Sequence, residues 1–359
     1  MDRRNFLRGA VAAGLATAAA AGADAAEPEL PRTTSVGDLK GEMLYRKLGK
    51  TGATVSAIGF GGSHFAKAAI DEATSVRLLH AAIDRGITFM DNSWDYNEGQ
   101  SELRMGKGLS QGGYREKVFL MTKLDGRTKE VAEAQINTSL ERLKTDHIDL
   151  LMHHEVLRFD DADRVFDEGG AHEAVLAAQK AGKVRFVGFT GHKDPHVHLY
   201  MLDVARKHGK PIDAVLMPMN VMDAHFRSFA RLVLPRLVKE QIGVLSMKPL
   251  GGGDGIILKS GTVQALECLH YALNLPTNVV ITGIDKQEIL EQAVQAAKTF
   301  KAMSKSQVQA ILDKTAAVAR TGRFELNKTT SHFDTTAKHP DWLGGDNAEV
   351  KKLAPESAG

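Results

Sequence analysis

Short apolar runs alternate with longer amphipathic stretches along most of this chain. The short runs are bounded by polar or glycine-containing segments, a pattern that predicts eight β-strands. The predicted strands are Ser56–Gly62, Ile87–Ser93, Val118–Leu124, Ile148–His154, Val184–Thr190, Ala214–Asn220, Gly243–Pro249 and Val279–Ile284. Between them, apolar residues recur at three- and four-residue intervals, which predicts helices.

Strands that alternate with helices of this length are typical of a parallel sheet, and eight such units predict an α/β fold of the closed (β/α)8 TIM-barrel type. A "KTG" turn within "YRKLGKTGATVSAIG" predicts an N-terminal hairpin that closes the barrel floor. Residues 304–318 predict an extra C-terminal helix. We therefore expect the barrel over residues 43–302, and this helix with an irregular tail over 303–359.

The N-terminus has the three parts of a secretory signal. Arg3 and Arg4 precede "NFLR", an Ala-rich stretch follows over residues 9–22, and "ADA" at 23–25 resembles a cleavage site. Paired arginines followed by Phe-Leu resemble the twin-arginine export signal. We expect a signal peptide over residues 1–25 that binds the twin-arginine export machinery, a polar linker over 26–42 and a periplasmic location. A non-functional leader would leave the protein in the cytoplasm.

Composition narrows the function classes. A net charge of +2 and the lack of basic runs give no support for a nucleic-acid partner. Cys268 is the only cysteine, which excludes a thiolate metal cluster and an internal disulfide. The Ala-rich leader is shorter than the roughly 18 apolar residues that a spanning helix needs, so no stable membrane insertion is expected.

Polar residues follow three neighbouring predicted strands. Asp91 ends the second strand and Tyr96 lies in its loop, Lys123 ends the third, and His153 and His154 end the fourth. Because barrel chemistry is located at the carboxyl ends of the strands, we expect these side chains to share one rim. Neighbouring strand residues point to opposite faces, so only one of the two histidines can face the barrel interior.

These residue types suit the polarisation or protonation of a carbonyl oxygen. A tyrosine hydroxyl titrates near pH 10 and is a weak acid unless a nearby cation stabilises its phenolate. Lys123 can supply that cation, and Asp91 can pair with it. A neutral imidazole can hydrogen-bond the carbonyl oxygen. No side chain supplies a hydride, so an external donor is needed, for which a nicotinamide is best suited.

Several motifs occur between about residue 44 and about residue 300, among them "RKLGKTGATVSAIGFGG", "FMDNSWDYNEGQSELRMG", "MTKL", "HIDLLMHHEV", "GKVRFVGFTG" and "MKPLGGG". With these motifs the chain resembles the aldo-keto reductases. The resemblance implies a (β/α)8 barrel that reduces a small-molecule carbonyl with NADP(H). It also implies that Asp91, Tyr96, Lys123 and His154 are catalytic, with Tyr96 as general acid.

The resemblance further implies a set of cofactor-binding positions. These are Gly61, Gly62, Thr190, Gly191, His192, Met247, Lys248, Leu250, Gly251, Gly283 and Asp285. Family members often hold the carboxamide with Ser-Asn after strand 5 and Gln on strand 6, where this chain has Thr190, Gly191 and Leu216. His192 is a candidate substitute for the missing amides. Met247 replaces the tyrosine that usually stacks on the nicotinamide.

The choice between cofactors stays open from the sequence. The carboxylate of Asp285, after strand 8, would repel the 2′-phosphate of NADP and can accept from the free 2′-hydroxyl of NAD. A helix that begins near Lys286 can still point its N-terminus at a phosphate. NADP(H) is favoured by the resemblance, and NAD(H) remains possible.

Two other functions fit parts of the pattern. A metal-dependent barrel hydrolase would use His153, His154 and His192, but strand alternation opposes it. A nicotinamide-binding barrel that acts as a sensor or partner protein without turnover would fit the altered carboxamide positions and an exported location. The substrate cannot be identified from the sequence, although Trp94, between Asp91 and Tyr96, is a candidate pocket residue.

Overall fold

A small antiparallel sheet precedes the barrel in the computed structural model, which describes residues 29–253 and 255–344. Its strands are β1 (Asp38–Lys40), β2 (Met43–Lys47) and β3 (Thr54–Ser56), in the order β1-β2-β3. Strands β2 and β3 form the predicted hairpin. Strand β1 falls inside the predicted polar linker, because residues 38–40 pair with β2 across a tight turn. The predicted signal peptide lies outside the described residues.

Eight parallel strands close into the predicted barrel, which confirms the fold class. They are β4 (Ile58–Gly61), β5 (Phe89–Asp91), β6 (Phe119–Leu124), β7 (Ile148–His153), β8 (Val184–Thr190), β9 (Ala214–Pro218), β10 (Gly243–Met247) and β11 (Val279–Gly283). Apolar side chains from alternate strand positions, such as Phe89, Met121 and Leu150, fill the interior, and Leu48 and Val55 of the hairpin segment join this cluster. The hairpin therefore closes the end opposite the carboxyl ends of the strands.

Helices surround the barrel at the positions that the apolar periodicity predicts. They are α1 (Gly62–Phe65), α2 (Glu72–Asp84), α3 (Gln100–Leu109), α4 (Lys129–Leu143), α5 (Phe159–Phe166), α6 (Ala171–Lys180), α7 (Pro195–Lys207), α8 (Phe229–Leu232), α9 (Leu234–Glu240), α10 (Ala265–Asn274), α11 (Gln287–Thr299) and α12 (Lys305–Ala319). Short 3-10 turns occur at Arg115–Lys117, Asp223–His225 and Ile256–Ser260. None of the helices in the described parts of the chain has the length and apolar character needed to cross a bilayer.

The C-terminal tail folds back over the carboxyl ends of the strands. It contains α13 (Leu326–Thr329), α14 (Thr335–Lys338) and a 3-10 turn at Pro340–Leu343, so the segment predicted to be irregular is partly helical. Lys328, which is fully buried, lies 2.7 Å from Asp223 and 2.9 Å from Glu325. Because a buried ammonium is stable only when it is paired, this cluster fixes the tail to the loop after β9.

Candidate active site

A cavity of about 600 Å³ opens at the carboxyl ends of the strands. This volume is within the range of small-molecule and cofactor sites. The predicted site residues that line it are Gly61, Asp91, Tyr96, His154, Thr190, His192, Met247, Lys248, Leu250, Gly283 and Asp285. The predicted residues that do not line it are Gly62, Trp94, Lys123, Gly191 and Gly251.

Lys123 lies beneath the cavity and connects Asp91 to Tyr96. Its side chain is only 1% exposed, and its Nζ donates to Asp91 Oδ1 at 2.5 Å and to the Asn92 carbonyl oxygen at 2.6 Å. The same ammonium lies 3.1 Å from the Tyr96 hydroxyl and 4.3 Å from the centre of its ring. Residues from β5, its loop and β6 thus form the predicted Asp–Lys–Tyr group, because parallel neighbouring strands end at one rim.

Burial raises the pKa of the Tyr96 hydroxyl well above its usual range, and the carboxylates of Asp91 and Asp95 raise it further. Lys123 occupies the place expected for the stabilising cation, 3.1 Å from the hydroxyl, and burial is nevertheless the largest cause of the raised pKa of Tyr96. Tyr96 therefore holds its proton at neutral pH. A phenol that keeps its proton, beside an ammonium able to stabilise the phenolate, is suited to donate that proton within the closed site.

The Nδ1 atom of His154 faces two carboxyl groups and a hydroxyl group. Its Nδ1 lies 2.7 Å from Asp125 Oδ1, 3.2 Å from Ser93 Oγ and 3.6 Å from Asp95 Oδ1. Its ring meets the Tyr96 ring edge-on, with 5.8 Å between the centroids. Burial lowers the pKa of His154 to about 3, so the imidazole is neutral. Since it lines the cavity, His154 can hydrogen-bond a substrate oxygen there.

His153 points away from the cavity, as strand alternation predicts. Its Nε2 lies 3.3 Å from Nδ1 of His172 on α6, and its ring packs near Phe166 of α5. The hypothesis of a metal site built from His153, His154 and His192 is therefore not supported.

A different group of residues among those described, Asp95, Asp125 and His154, has side-chain ligand atoms close enough together to be considered for a metal ion. Two ligand atoms of one tetrahedral zinc ion lie about 3.3 Å apart. The 2.7 Å between Asp125 and His154 is a hydrogen-bond distance instead.

Arg127 fixes the loop that carries His154, a role that no sequence motif indicates. Its guanidinium is 1% exposed and donates to the carbonyl oxygens of Asp125 (2.8 Å), His154 (2.7 Å) and Glu155 (3.0 Å). It also pairs with Asp161 at 3.1 Å. Four contacts of one buried planar cation hold the loops after β6 and β7 in one arrangement.

Glu155 and Lys248 are two further charged residues of the cavity wall. Both have positive φ, 47° and 55°, which is uncommon for residues other than glycine and is concentrated at functional sites. Burial raises the pKa of Glu155 to about 8 and lowers the pKa of Lys248 to about 8. Glu155 accepts from the backbone N–H of Thr335, so the tail contributes to this wall. A sequence pattern does not reveal such residues, because nothing in it indicates where the tail folds.

The part of the cavity around β8 fits a nicotinamide. His192 is 4% exposed, and its Nε2 makes no hydrogen bond within the described residues, so a buried polar atom is available to a ligand. Thr190 lines the same wall. A Cβ atom on Gly191 would lie 2.2 Å from the Val156 carbonyl oxygen, so no amide side chain fits there. Leu216 belongs to the barrel interior. Thr190 and His192 are thus the groups available to a carboxamide.

Glycines bring the backbone close to the cavity at β4 and β11. A Cβ on Gly283 would lie 2.4 Å from the His64 ring, and one on Gly61 would lie 2.9 Å from the Thr282 carbonyl oxygen. His64 Nε2 in turn lies 2.9 Å from the carbonyl oxygen of Gly253. Gly62 and Gly251, which do not line the cavity, pack against Asp91 and Ile257 instead.

The carboxylate of Asp285, after β11, has a cationic partner from another part of the chain. Asp285 is paired with Lys67 at 3.4 Å, and both side chains are partly exposed. Lys286, the residue before α11, lines the same part of the cavity. The ion pair with Lys67, together with the nearby helix N-terminus, weakens the repulsion expected between Asp285 and a 2′-phosphate.

Trp94 lies outside the cavity lining, in contrast to the prediction that it belongs to the substrate pocket. Its ring packs edge-on against Trp342 at 5.4 Å, and Arg142 lies over its face at the same distance. The tail therefore covers this indole and keeps it at the rim.

Comparisons with known proteins agree with this geometry. The sequence model of the aldo/keto reductase family matches residues 57–262. An uncharacterized oxidoreductase of Bacillus subtilis (strain 168) is 29% identical over 239 residues, which cover 61% of this chain and 70% of that protein. The L-galactose dehydrogenase of Arabidopsis thaliana is 33% identical over 221 residues, covering 58% and 66%. The chain thus matches about two thirds of the length of these relatives.

Solved structures share the fold. An aldo-keto reductase of Bacillus halodurans in its holo form has a TM-score of 0.62 at 21% identity, covering 76% of this chain and 96% of that one. A putative aldo-keto reductase of Pseudomonas aeruginosa has a TM-score of 0.59 at 23% identity, covering 72% and 96%. Aldo-keto reductases are oxidoreductases that use nicotinamide cofactors. Because the family match spans more than half of its residues, the chain belongs to the aldo/keto reductase family.

Proposed function

We propose that this protein is an NAD(P)H-dependent reductase that converts an aldehyde or ketone to an alcohol. The observation that carries the proposal is the buried Lys123 ammonium, which contacts Asp91 and Tyr96 directly beneath a cavity lined by Tyr96 and His154. A bound reduced nicotinamide supplies the hydride. His154 holds the carbonyl oxygen, Tyr96 donates its hydroxyl proton to that oxygen, and Lys123 stabilises the phenolate that remains. Asp91 keeps Lys123 charged and in place.

NADP(H) is the cofactor that we favour, with NAD(H) as the alternative. Lys67 pairs with Asp285, Lys286 lines the same part of the cavity, and cations at this position favour a 2′-phosphate over a free hydroxyl. Thr190 and His192 would hold the carboxamide, and Met247 would pack against the ring.

We further propose that the substrate is a polar carbonyl compound. The wall formed by Glu155, Lys248 and Thr335 offers a carboxyl group, an ammonium and a hydroxyl, which suit hydroxyl groups better than an alkyl chain. The likeness to an L-galactose dehydrogenase supports hydroxylated carbonyl compounds as the first class to test.

The leader supports a proposal of export by the twin-arginine route to the periplasm. Its support is the sequence of residues 3–25 alone.

The test uses purified full-length protein with NADPH or NADH and two matched aldehydes, one hydroxylated and one aliphatic. We expect oxidation of the cofactor with the hydroxylated aldehyde, and a loss of turnover on the order of 10² to 10⁴ in Tyr96→Phe. Tyr114→Phe is the control, since that hydroxyl contacts Asp84 on the outer surface and should leave turnover unchanged. Tight cofactor binding with no turnover of any carbonyl would favour the sensor function instead.

A further inference from the structure

His154 has a buried acidic partner, Asp125, that the proposed reaction does not use. Asp125, in the loop after β6, is completely buried, and its Oδ1 lies 2.7 Å from His154 Nδ1. Gln135 Oε1 accepts from the backbone N–H groups of Asp125 and Gly126, both at 2.8 Å, which fixes the loop. The other oxygen, Oδ2, makes no hydrogen bond within the described residues.

We propose that Asp125 is a positioning residue that determines which nitrogen of His154 carries the proton, and thereby whether His154 donates to a carbonyl oxygen or accepts from an alcohol. This inference rests on the proposed function of the site. The geometry behind it is that Asp125 holds Nδ1, while Nε2 makes no hydrogen bond within the described residues and His154 lines the cavity.

The Asp125–His154 pair has two states, which differ by one proton. When the carboxyl group is protonated, it donates to Nδ1, so the neutral imidazole carries its proton on Nε2 and can donate to a carbonyl oxygen. When one proton is removed from the pair, the carboxylate accepts from Nδ1–H, and Nε2 keeps a lone pair. That lone pair accepts from the hydroxyl of an alcohol and repels a carbonyl oxygen. No other group has to change its proton number.

The surroundings favour the protonated carboxyl group up to neutral pH. An ionised Asp125 would leave Oδ2 charged, buried and without a donor, which is costly. Burial raises the pKa of Asp125 to about 7, against the opposing charges of Arg127, Lys123 and His339. Burial also lowers the pKa of His154 to about 3, so the proton of the pair resides on the carboxyl group. The exchange between the two states thus falls close to neutral pH.

Other charged groups lie near the same imidazole, and their effects on its protonation must be distinguished from that of Asp125. Asp95, from the loop after β5, lies 3.6 Å from Nδ1 and accepts from Ser93 Oγ at 2.6 Å, so its carboxylate already has a donor. Lys123, Arg127 and Asp91 also act on His154 through their charges. Glu155 and Lys248 also line the cavity, where burial raises the pKa of Glu155 to about 8 and lowers the pKa of Lys248 to about 8.

The consequence is a pH dependence in substrate binding and not in the proton-donating step. Above about pH 7, KM for the carbonyl should rise by up to tenfold per pH unit, while KM for the corresponding alcohol in the reverse reaction should fall. Tyr96 does not cause this change, because burial raises its pKa well above its usual range.

The experiment compares wild type with Asp125→Asn. Asparagine has nearly the same shape but does not titrate, and its amide can serve either ring tautomer by turning over. We expect Asp125→Asn to lose the rise of carbonyl KM between about pH 6 and pH 8, with a smaller change in kcat. Asp95→Asn removes a carboxylate that does not hold Nδ1 at hydrogen-bond distance, and Glu155→Gln and Lys248→Met each remove one of the two cavity-wall groups whose pKa burial shifts to about 8. Each of these variants should keep the rise of carbonyl KM that starts near pH 7, whatever its effect on the KM value itself.

A second readout does not depend on turnover. In the cofactor-free protein, ¹⁵N NMR of labelled imidazoles reports which nitrogen of His154 is protonated, with the signal assigned by its loss in His154→Gln. We expect the Nε2–H form below about pH 7 and the Nδ1–H form above it in wild type, and no such exchange in Asp125→Asn. An exchange of the His154 tautomer in Asp125→Asn at the same pH as in wild type, or a KM profile abolished by Glu155→Gln or Lys248→Met alone, would overturn the inference while leaving the reductase proposal intact. Absence of turnover with every carbonyl would instead remove the reductase proposal, and the NMR result would still decide the role of Asp125.

Discussion

The buried pair of Lys123 and Asp91 gives a prediction about stability that is separate from catalysis. Lys123→Met would remove the donor at 2.5 Å from Asp91 and at 2.6 Å from the Asn92 carbonyl oxygen. A carboxylate that is 5% exposed would then be left without its cation. Breaking a buried pair from one side typically costs about 3 to 5 kcal/mol of unfolding free energy.

The double variant should recover part of this loss. Asp91→Asn alone leaves the Lys123 ammonium buried beside neutral groups, which we expect to cost about 3 kcal/mol. With both changes no uncompensated charge remains, so the double variant should be less destabilised than the sum of the single variants. We expect a coupling energy of about 2 kcal/mol or more from the double-mutant cycle.

The assay is urea unfolding followed by circular dichroism for wild type and the three variants. A matched cycle uses Lys107→Met and Glu72→Gln, because this pair joins α3 to α2 at the surface with about half of each side chain exposed. That cycle should give a coupling energy of roughly 0 to 1 kcal/mol. Equal coupling in the two cycles, or a buried coupling below about 0.5 kcal/mol, would refute the claim that Asp91 compensates the charge of Lys123.

Three further predictions concern the histidines, the cofactor and the leader. His154→Ala should lower turnover by about 10² or more, whereas His153→Ala should keep turnover and lose about 1 to 3 kcal/mol of stability, measured by steady-state kinetics and urea unfolding. Equal loss of turnover in both would contradict the assignment of His154. Lys286→Met should weaken NADPH binding more than NADH binding in fluorescence titrations, and an equal loss would remove Lys286 from 2′-phosphate recognition. Arg3→Lys/Arg4→Lys should retain the protein in the cytoplasm on cell fractionation, and an unchanged distribution would contradict export.

The position of the candidate catalytic residues could be predicted because consecutive strands of a (β/α)8 barrel lie side by side. Asp91, Lys123 and His154 lie at or next to the ends of consecutive strands of a parallel barrel, so their sequence positions already require that they share one rim. The alternation of side chains along β7 likewise separates His153 from His154 through local backbone geometry alone.

Other features of the site could not be predicted from the sequence, because they depend on contacts between segments that are far apart in the chain. The predicted role of Trp94 in the pocket is not supported, since Trp342, far along the chain, covers the indole. The pairing of Asp285 with Lys67, from a segment far away in the sequence, weakens the repulsion that this carboxylate would exert on a 2′-phosphate.

The sequence by itself determined the barrel, its hairpin floor and the extra helix, since hydrophobic periodicity specifies them. Strand-end position brought Asp91, Lys123 and the two histidines to one rim, and the family resemblance selected His154 and Tyr96 among the rim residues. Tertiary structure alone decided the electrostatics of the site. Burial, which no local pattern measures, raises the pKa of Tyr96 and that of Asp125 and lowers that of His154. The balance between desolvation and paired charge depends on every segment that packs around the cavity, including a tail whose path the sequence did not predict.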